Sequence, residues 1–242
     1  MKIFILVACL SLACCAPLLA QTPELEFSAG GDSAWLPLTL ESNGTWGIAP
    51  GTDVTLGNGI TFTLNSVQVN SDPYVFYSYN VTNNGSSAMQ YTATIPATTA
   101  SLSPGQYTVS SSLGISLTNA SAPPPNTSTV WISPVSPGSA IQQGLIGGND
   151  AGVDLGTTQV SNSTFGSTST TSYSGGPLVY NLAAPANNVS ISETFDLSAG
   201  ASVGLSGFFD VESAPEPSSV GLGLVAMGVF VVLIVRARHS RA

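Results

Sequence analysis

The sequence predicts an all-β domain, folded as an antiparallel β-sandwich of the jelly-roll or immunoglobulin-like kind. The middle of the chain is rich in Ser, Thr, Asn, Gly and Val and poor in helix-forming residues. Short stretches in which apolar and polar residues alternate recur along it, as expected for half-buried strands. Turn residues separate these stretches, and no window of the middle shows a sustained helical period. Many short strands joined by turns favour a sandwich.

The strand candidates follow one another along the chain. Residues 74–82 are the richest in aromatic and β-branched side chains, which favour strands. In this strand Tyr77 and Tyr79 share a face with Val75 and Val81, which indicates a core position. The other predicted strands cover residues 35–40, 60–70, 89–95, 107–117, 130–133, 178–182, 189–197 and 203–211.

Two stretches are expected to be loops. Residues 122–126 contain three consecutive prolines and form a stiff connector that could divide the sheet halves. Residues 161–176 have low sequence complexity and are expected to be mobile.

The distribution of charge excludes several classes of function. The 242 residues include 13 acidic and 4 basic side chains, for a formal net charge of −9. The basic residues are Lys2, Arg236, Arg238 and Arg241, so no residue from 3 to 235 carries a fixed positive charge. A nucleic-acid-binding protein needs a basic surface. The middle of the chain also has no His, Cys or Lys, so a thiolate metal site or a histidine general base is excluded there, and no cofactor is predicted.

The first 20 residues are typical of a secretory signal peptide, with Lys2 before an apolar stretch and small residues toward the end. We expect cleavage between Ala20 and Gln21. Two alternatives stay open: a lipoprotein signal with Cys14 or Cys15 as the lipidated residue, and an uncleaved anchor.

The other end of the chain is predicted to span a membrane once. Residues 220–235 carry no polar side chain, and two serines extend the stretch to 218–235. A helix of this length, with a rise of about 1.5 Å per residue, nearly matches a hydrocarbon core of about 30 Å. Arg236, Arg238 and Arg241 follow at once and favour a cytoplasmic tail at residues 236–242.

An accessible motif, Pro215-Glu216-Pro217, lies just before the apolar stretch. Together with the span, the basic tail and the signal peptide, residues 213–242 resemble the PEP-CTERM sorting domain of exported proteins from Gram-negative, exopolysaccharide-producing bacteria. The resemblance implies that an exosortase-type transpeptidase recognises the motif and removes the anchor. It therefore predicts three parts: a signal peptide at 1–20, a β-rich exported domain at 21–212, and the sorting segment at 213–242.

The carboxylates of the exported domain have no Lys, Arg or His partner there. We expect them to be solvated, capped by backbone N–H groups, or neutralised by external divalent cations such as calcium. The glycine-rich stretch 147–154 contains two aspartates, but it is interpreted as a turn with solvated acids, and no metal site is assigned.

A glycosidase needs only two carboxylates, and Glu193 and Asp196 lie close in sequence. Residues three apart on a strand point to opposite faces, so these two are not expected to converge. A carboxylate-based glycoside hydrolase is therefore only a remote alternative, and the chain is not expected to be an enzyme.

Carbohydrate binding is the sharper alternative. Trp35, Trp46 and Trp131 are candidate ligand aromatics in a domain rich in Ser, Thr and Asn, although aromatic side chains of sandwiches are more often packing residues. The main hypothesis is a non-catalytic protein, anchored briefly at the inner membrane and then released to the cell envelope or extracellular matrix. The alternative is a module that binds the exopolysaccharide.

Overall fold

A computed structural model describes residues 22–70, 72–120 and 128–213, with the side chains of 98–101 excepted. The predicted signal peptide, the polyproline connector and the sorting segment, including the helix at 218–235, lie outside these ranges. Within them no helix is long and apolar enough to cross a membrane.

The described residues form β-strands and no helix. In chain order the strands are β1 (Glu24–Ala29), β2 (Asp32–Pro37), β3 (Thr39–Leu40), β4 (Trp46–Gly47), β5 (Thr52–Thr55), β6 (Thr61–Asn70), β7 (Tyr74–Thr82), β8 (Met89–Leu102), β9 (Gly105–Asn119), β10 (Val130–Pro134), β11 (Gln142–Ile146), β12 (Asn149–Asp150), β13 (Val160–Asn162), β14 (Thr168–Leu182), β15 (Ala186–Leu197) and β16 (Ala201–Ser213). The prediction of an all-β domain is confirmed.

These strands make two antiparallel sheets. The first sheet has the order β12-β11-β15-β8-β1-β2, and β10 pairs with both β15 and β13. The second has the order β14-β9-β16-β7-β6-β4-β3, and β5 pairs with β6. The long strands β15 and β16 therefore lie in the interior of different sheets and are joined by a short turn.

The two sheets pack face to face around an apolar core. Apolar side chains at alternate positions of both sheets point inward, as the period of a strand requires. Phe27 of the first sheet contacts Phe62 of the second, with ring centroids 4.7 Å apart. Tyr77 and Tyr79 are fully buried beside Val75 and Val81, which confirms the core position predicted for them.

Two local predictions were wrong. Residues 161–176 are not a loop throughout: β13 ends within this stretch, and most of the rest belongs to β14, which pairs with β9 along nearly its whole length. Residues 35–40 are not one strand either, because β2 belongs to the first sheet and β3 to the second. Leu38, which is buried, lies at the crossing between them.

Candidate binding face and buried acid cluster

Among the aromatic residues that the sequence analysis singled out, Trp35 is the most exposed one in the described ranges. It lies on β2, the edge strand of the first sheet, and 59% of its surface is exposed. Strand alternation explains this, because Ala34 and Leu36 on either side turn toward the core. A large apolar ring is thus presented to solvent at the edge of the first sheet.

A row of polar side chains continues from Trp35 across the outer face. Trp35 pairs with Glu26, which pairs with Thr94. Thr94 pairs with Ser192, and Ser192 with Gln143. Directly paired residues of antiparallel strands share a face, so these five residues form one row, called here the Trp35 row. With strands about 4.8 Å apart, the row spans roughly 19 Å.

The Trp35 row has the chemistry of a sugar-binding surface. The indole ring offers an apolar face for stacking, and the other four side chains offer hydroxyl, amide and carboxylate groups for hydrogen bonds to ligand hydroxyls. These four side chains are partly exposed. The row is shallow and open, which suits an extended chain better than a small enclosed molecule.

The other two predicted aromatics do not join Trp35. Trp46 is half-buried on β4 of the second sheet and packs against the core. Trp131 lies on β10, which pairs with β15, so β15, β8 and β1 separate it from β2. Those four strand spacings put the two side chains at least about 19 Å apart. The structure therefore brings no two of the three tryptophans together.

The glycine-rich stretch 147–154 begins with a turn, as predicted, but residues 149–150 belong to β12. Gly147 and Gly148 both have positive φ, of 61° and 79°, and connect β11 to β12. After β12, Oδ1 of Asp150 accepts a 2.7 Å hydrogen bond from the N–H of Gly152. Within the described ranges no group of three or more His, Cys, Asp or Glu residues is arranged to hold a metal ion.

Glu193 and Asp196 lie on opposite faces of β15, as predicted. Glu193 is fully buried, whereas Asp196 is partly exposed on the outer face and pairs with Gln90 and Ser133. The sheet itself separates the two carboxyl groups. They therefore cannot act on one substrate as a glycosidase pair.

Glu193 contradicts the expectation that the carboxylates would be solvated, capped by the backbone or neutralised by cations. Its Oε1 lies 2.5 Å from the hydroxyl oxygen of Tyr77 and its Oε2 lies 2.6 Å from that of Tyr79. Burial raises the pKa of Glu193 to about 7, although the hydrogen bonds from the two tyrosines act in the opposite direction. Burial and the adjacent Glu193 raise the pKa of both tyrosines well above the ordinary value.

Gln142 and Ser111 extend this polar group, and the five residues are called here the Glu193 cluster. The Tyr77 hydroxyl also bonds Gln142 Oε1. Gln142 Nε2 lies 2.6 Å from Ser111 Oγ and 3.0 Å from the carbonyl oxygen of Ser112. Ser111 Oγ in turn donates to the carbonyl oxygen of Phe208 at 2.8 Å. Glu193 and Gln142 belong to the first sheet and their partners to the second, so the cluster ties the sheets together.

The Glu193 cluster was missed by sequence reasoning, although one signal for it was present. Val189, Ile191, Phe195 and Leu197 alternate along β15 and are all buried, and Glu193 occupies the inward position between them. An acid at an inward position of an apolar strand indicates a buried partner. Since all members of the cluster are almost fully buried, substrate cannot reach the carboxyl group.

Comparisons with known proteins give no family for this chain. No family model matches it, and no curated protein matches it. Among solved structures it is similar to TmCBM61, described in complex with β-1,4-galactotriose, with a TM-score of 0.25 and 8% sequence identity. The alignment covers 78% of this chain and 88% of TmCBM61. A likeness at this TM-score carries no argument about fold or ligand.

Proposed function

We propose that the chain is a non-catalytic protein of the cell surface or extracellular matrix. The observation that carries this proposal is the placement of its acids. Glu193, the one ionisable carboxyl group buried among the described residues, is sealed between the sheets. Many outward side chains of β9 and β14 are Ser and Thr, whose small hydroxyl groups suit contact with other surfaces.

We further propose that the protein reaches this location through its PEP-CTERM-like segment. The last described strand, β16, is paired on both sides and ends at Ser213, two residues before Pro215 of the motif Pro215-Glu216-Pro217. Cleavage at the motif by an exosortase-type enzyme would leave every described strand in place. The exported protein should therefore begin at Gln21 and end near residues 215–217, which mass spectrometry of its two ends can check.

Carbohydrate binding is the second candidate, and the Trp35 row favours it. In this proposal an extended neutral polysaccharide lies along the row, with one sugar ring stacked on the indole of Trp35. Neutral glycans fit best, because Glu26 lies in the row and no basic side chain occurs in the described ranges to pair with an anionic polymer.

Replacing Trp35 with alanine should weaken adsorption of the full chain to the matrix polysaccharide of its producing cells at least about tenfold, a ratio that corresponds to 1.4 kcal/mol. The loss is expected because the stacking surface disappears while the sheet stays intact. Trp131→Ala is the matched control, because Trp131 lies on the same sheet outside the row, and it should bind like the unchanged chain. Equal adsorption of the Trp35→Ala chain, or no adsorption of the unchanged chain, would contradict the proposal.

A further inference from the structure

We infer that Glu193 holds a proton in the folded protein at weakly acidic pH, where an exposed glutamate is ionised, and that its carboxyl group is a pH-sensitive link between the two sheets. The inference does not depend on the proposed function. It follows first from counting hydrogen-bond donors and acceptors in the Glu193 cluster, and then from the charges that surround it.

The orientation of the Gln142 amide is the first step. The carbonyl oxygen of Ser112 lies 3.0 Å from the amide atom assigned as Nε2. A backbone carbonyl can only accept, so this atom must be the NH₂ group. The opposite orientation would place two acceptors in contact in the core, which costs the energy of an unsatisfied buried group. Gln142 Oε1 therefore faces the Tyr77 hydroxyl.

The single proton of Tyr77 is the second step. An amide oxygen cannot donate, so Tyr77 must donate its proton to Gln142 Oε1. The Tyr77 oxygen then has no proton left for Glu193, yet Glu193 Oε1 lies only 2.5 Å away. The contact is a hydrogen bond only if the carboxyl group donates. If Glu193 were a carboxylate, its Oε1 and the Oε1 of Gln142 would both need the single hydroxyl proton of Tyr77.

A protonated Glu193 satisfies the whole cluster. Its O–H donates to Tyr77, and Tyr77 donates to Gln142. The Gln142 NH₂ donates to Ser111 Oγ and to the Ser112 carbonyl, and Ser111 donates to the Phe208 carbonyl. The second carboxyl oxygen accepts from Tyr79. Every donor then has an acceptor, and the chain of bonds crosses from one sheet to the other.

The surroundings supply no charge to stabilise an ionised Glu193. The described inward positions of β7, β8, β9, β11 and β16, the strands around it, carry no Asp, Glu, Lys, Arg or His. Their titratable groups are tyrosines, namely Tyr77, Tyr79, Tyr91 and Tyr107. Burial raises the pKa of Tyr91 to about 12, so it stays neutral as well. A carboxylate here would be buried without a cation, which is costly.

The direction of the pH dependence follows from linkage. The pKa of Glu193 is about 7 in the folded protein and 4.5 as the ordinary value, so the folded chain binds the proton more tightly than the unfolded chain does. The stabilisation is complete below about pH 4.5 and is lost as the pH rises through about 7. Over this interval the folding equilibrium constant should fall by about two to three powers of ten from this group alone.

The free energy of unfolding of the full chain, measured with urea at about pH 4.5 and about pH 8, tests this link between the sheets. Glu193→Gln keeps a donor for Tyr77 and an acceptor for Tyr79 but cannot ionise, so the variant should lose most of the pH dependence. Asp196→Asn is the matched control, since it removes a carboxylate from the outer face of the same strand. In the Asp196→Asn chain, the logarithm of the folding equilibrium constant should still change between the two pH values. The change should be at least about nine-tenths of the part attributed to Glu193.

A second measurement keeps the inference testable even if the variant folds poorly. The carboxyl carbon of Glu193 in the unchanged chain can be followed by NMR while the pH is raised. We expect its titration near pH 7, well above that of an exposed glutamate. Titration near the ordinary value of 4.5, or the same pH dependence of unfolding in the Glu193→Gln chain, would overturn the inference.

Discussion

Replacing Phe62 with alanine should lower the free energy of unfolding by about 3–5 kcal/mol, the usual cost of deleting a fully buried aromatic side chain. Phe62 has no exposed surface. Its ring contacts Phe27 across the sheets at 4.7 Å, and Tyr79 and Tyr91 at 5.8 Å and 6.0 Å between centroids. The deletion removes the centre of this aromatic group and leaves a cavity that strands paired on both sides cannot close.

Urea unfolding of the full chain measures this effect, and Phe165→Ala provides the comparison. Phe165 lies in the turn between β13 and β14 and is 43% exposed, so its removal should change the stability by no more than about 0.5 kcal/mol. Similar losses for the two variants would show that the interface between the sheets is not packed as described.

Replacing Gly207 with alanine should cost about 3 kcal/mol or more, at the upper end of what overpacking a core usually costs. A Cβ atom at this position would lie 2.2 Å from the carbonyl oxygen of Ser112 and 2.8 Å from the Tyr77 hydroxyl oxygen. Ser112 belongs to β9, which pairs with β16 on one side and β14 on the other, so its carbonyl cannot move away without breaking a ladder. The same methyl group would also press into the Glu193 cluster.

Gly204 is the control for Gly207, because it lies on the same strand and faces outward. A Cβ atom at Gly204 would meet the Asn80 side-chain oxygen at 2.6 Å, and that amide is the free end of an exposed side chain. Rotation of Asn80 relieves the contact, so Gly204→Ala should cost less than about 1 kcal/mol. Equal stability of the two alanine variants would mean that β9 and β16 do not approach as closely as described.

The sequence was sufficient to predict several strands that have one buried face, but it missed β1 and β11, whose buried residues also alternate. In β7, in β16 and in β15 from Val189 onward, buried residues recur at every second position, and in β6 they do so on either side of a β-bulge. This period is a direct consequence of burial on one side. The inward direction of Tyr77 and Tyr79 followed from the same rule. The same rule also predicted that Glu193 and Asp196 point to opposite faces of their strand.

In the edge strand β14, residues 178–182 were predicted as a strand, but the first half was not predictable in this way. Its first half is almost entirely Ser and Thr, and both of its faces are partly exposed, so no apolar alternation marks it. Its strand structure comes from the backbone ladder with β9 and from the preference of Thr for extended backbone. Low sequence complexity was therefore misinterpreted as a mobile loop.

The partners of Glu193 could not be predicted because they depend on tertiary structure. Tyr77 is 116 residues away in sequence, and Gln142 is 65 residues from Tyr77. Their meeting depends on the order of strands in both sheets, which alternation alone does not fix. The exposure of Trp35 likewise depends on β2 being an edge strand, which only the sheet topology decides.

The ends of the protein recovered from its producing cells test the proposed export and sorting most directly. Intact mass and terminal mapping should be compared between the membrane fraction and the extracellular fraction. We expect the extracellular chains to begin at Gln21 and to end near residues 215–217, with the sandwich complete through Ser213. Chains that keep Arg241 and occur only in the membrane fraction would contradict release by an exosortase-type enzyme.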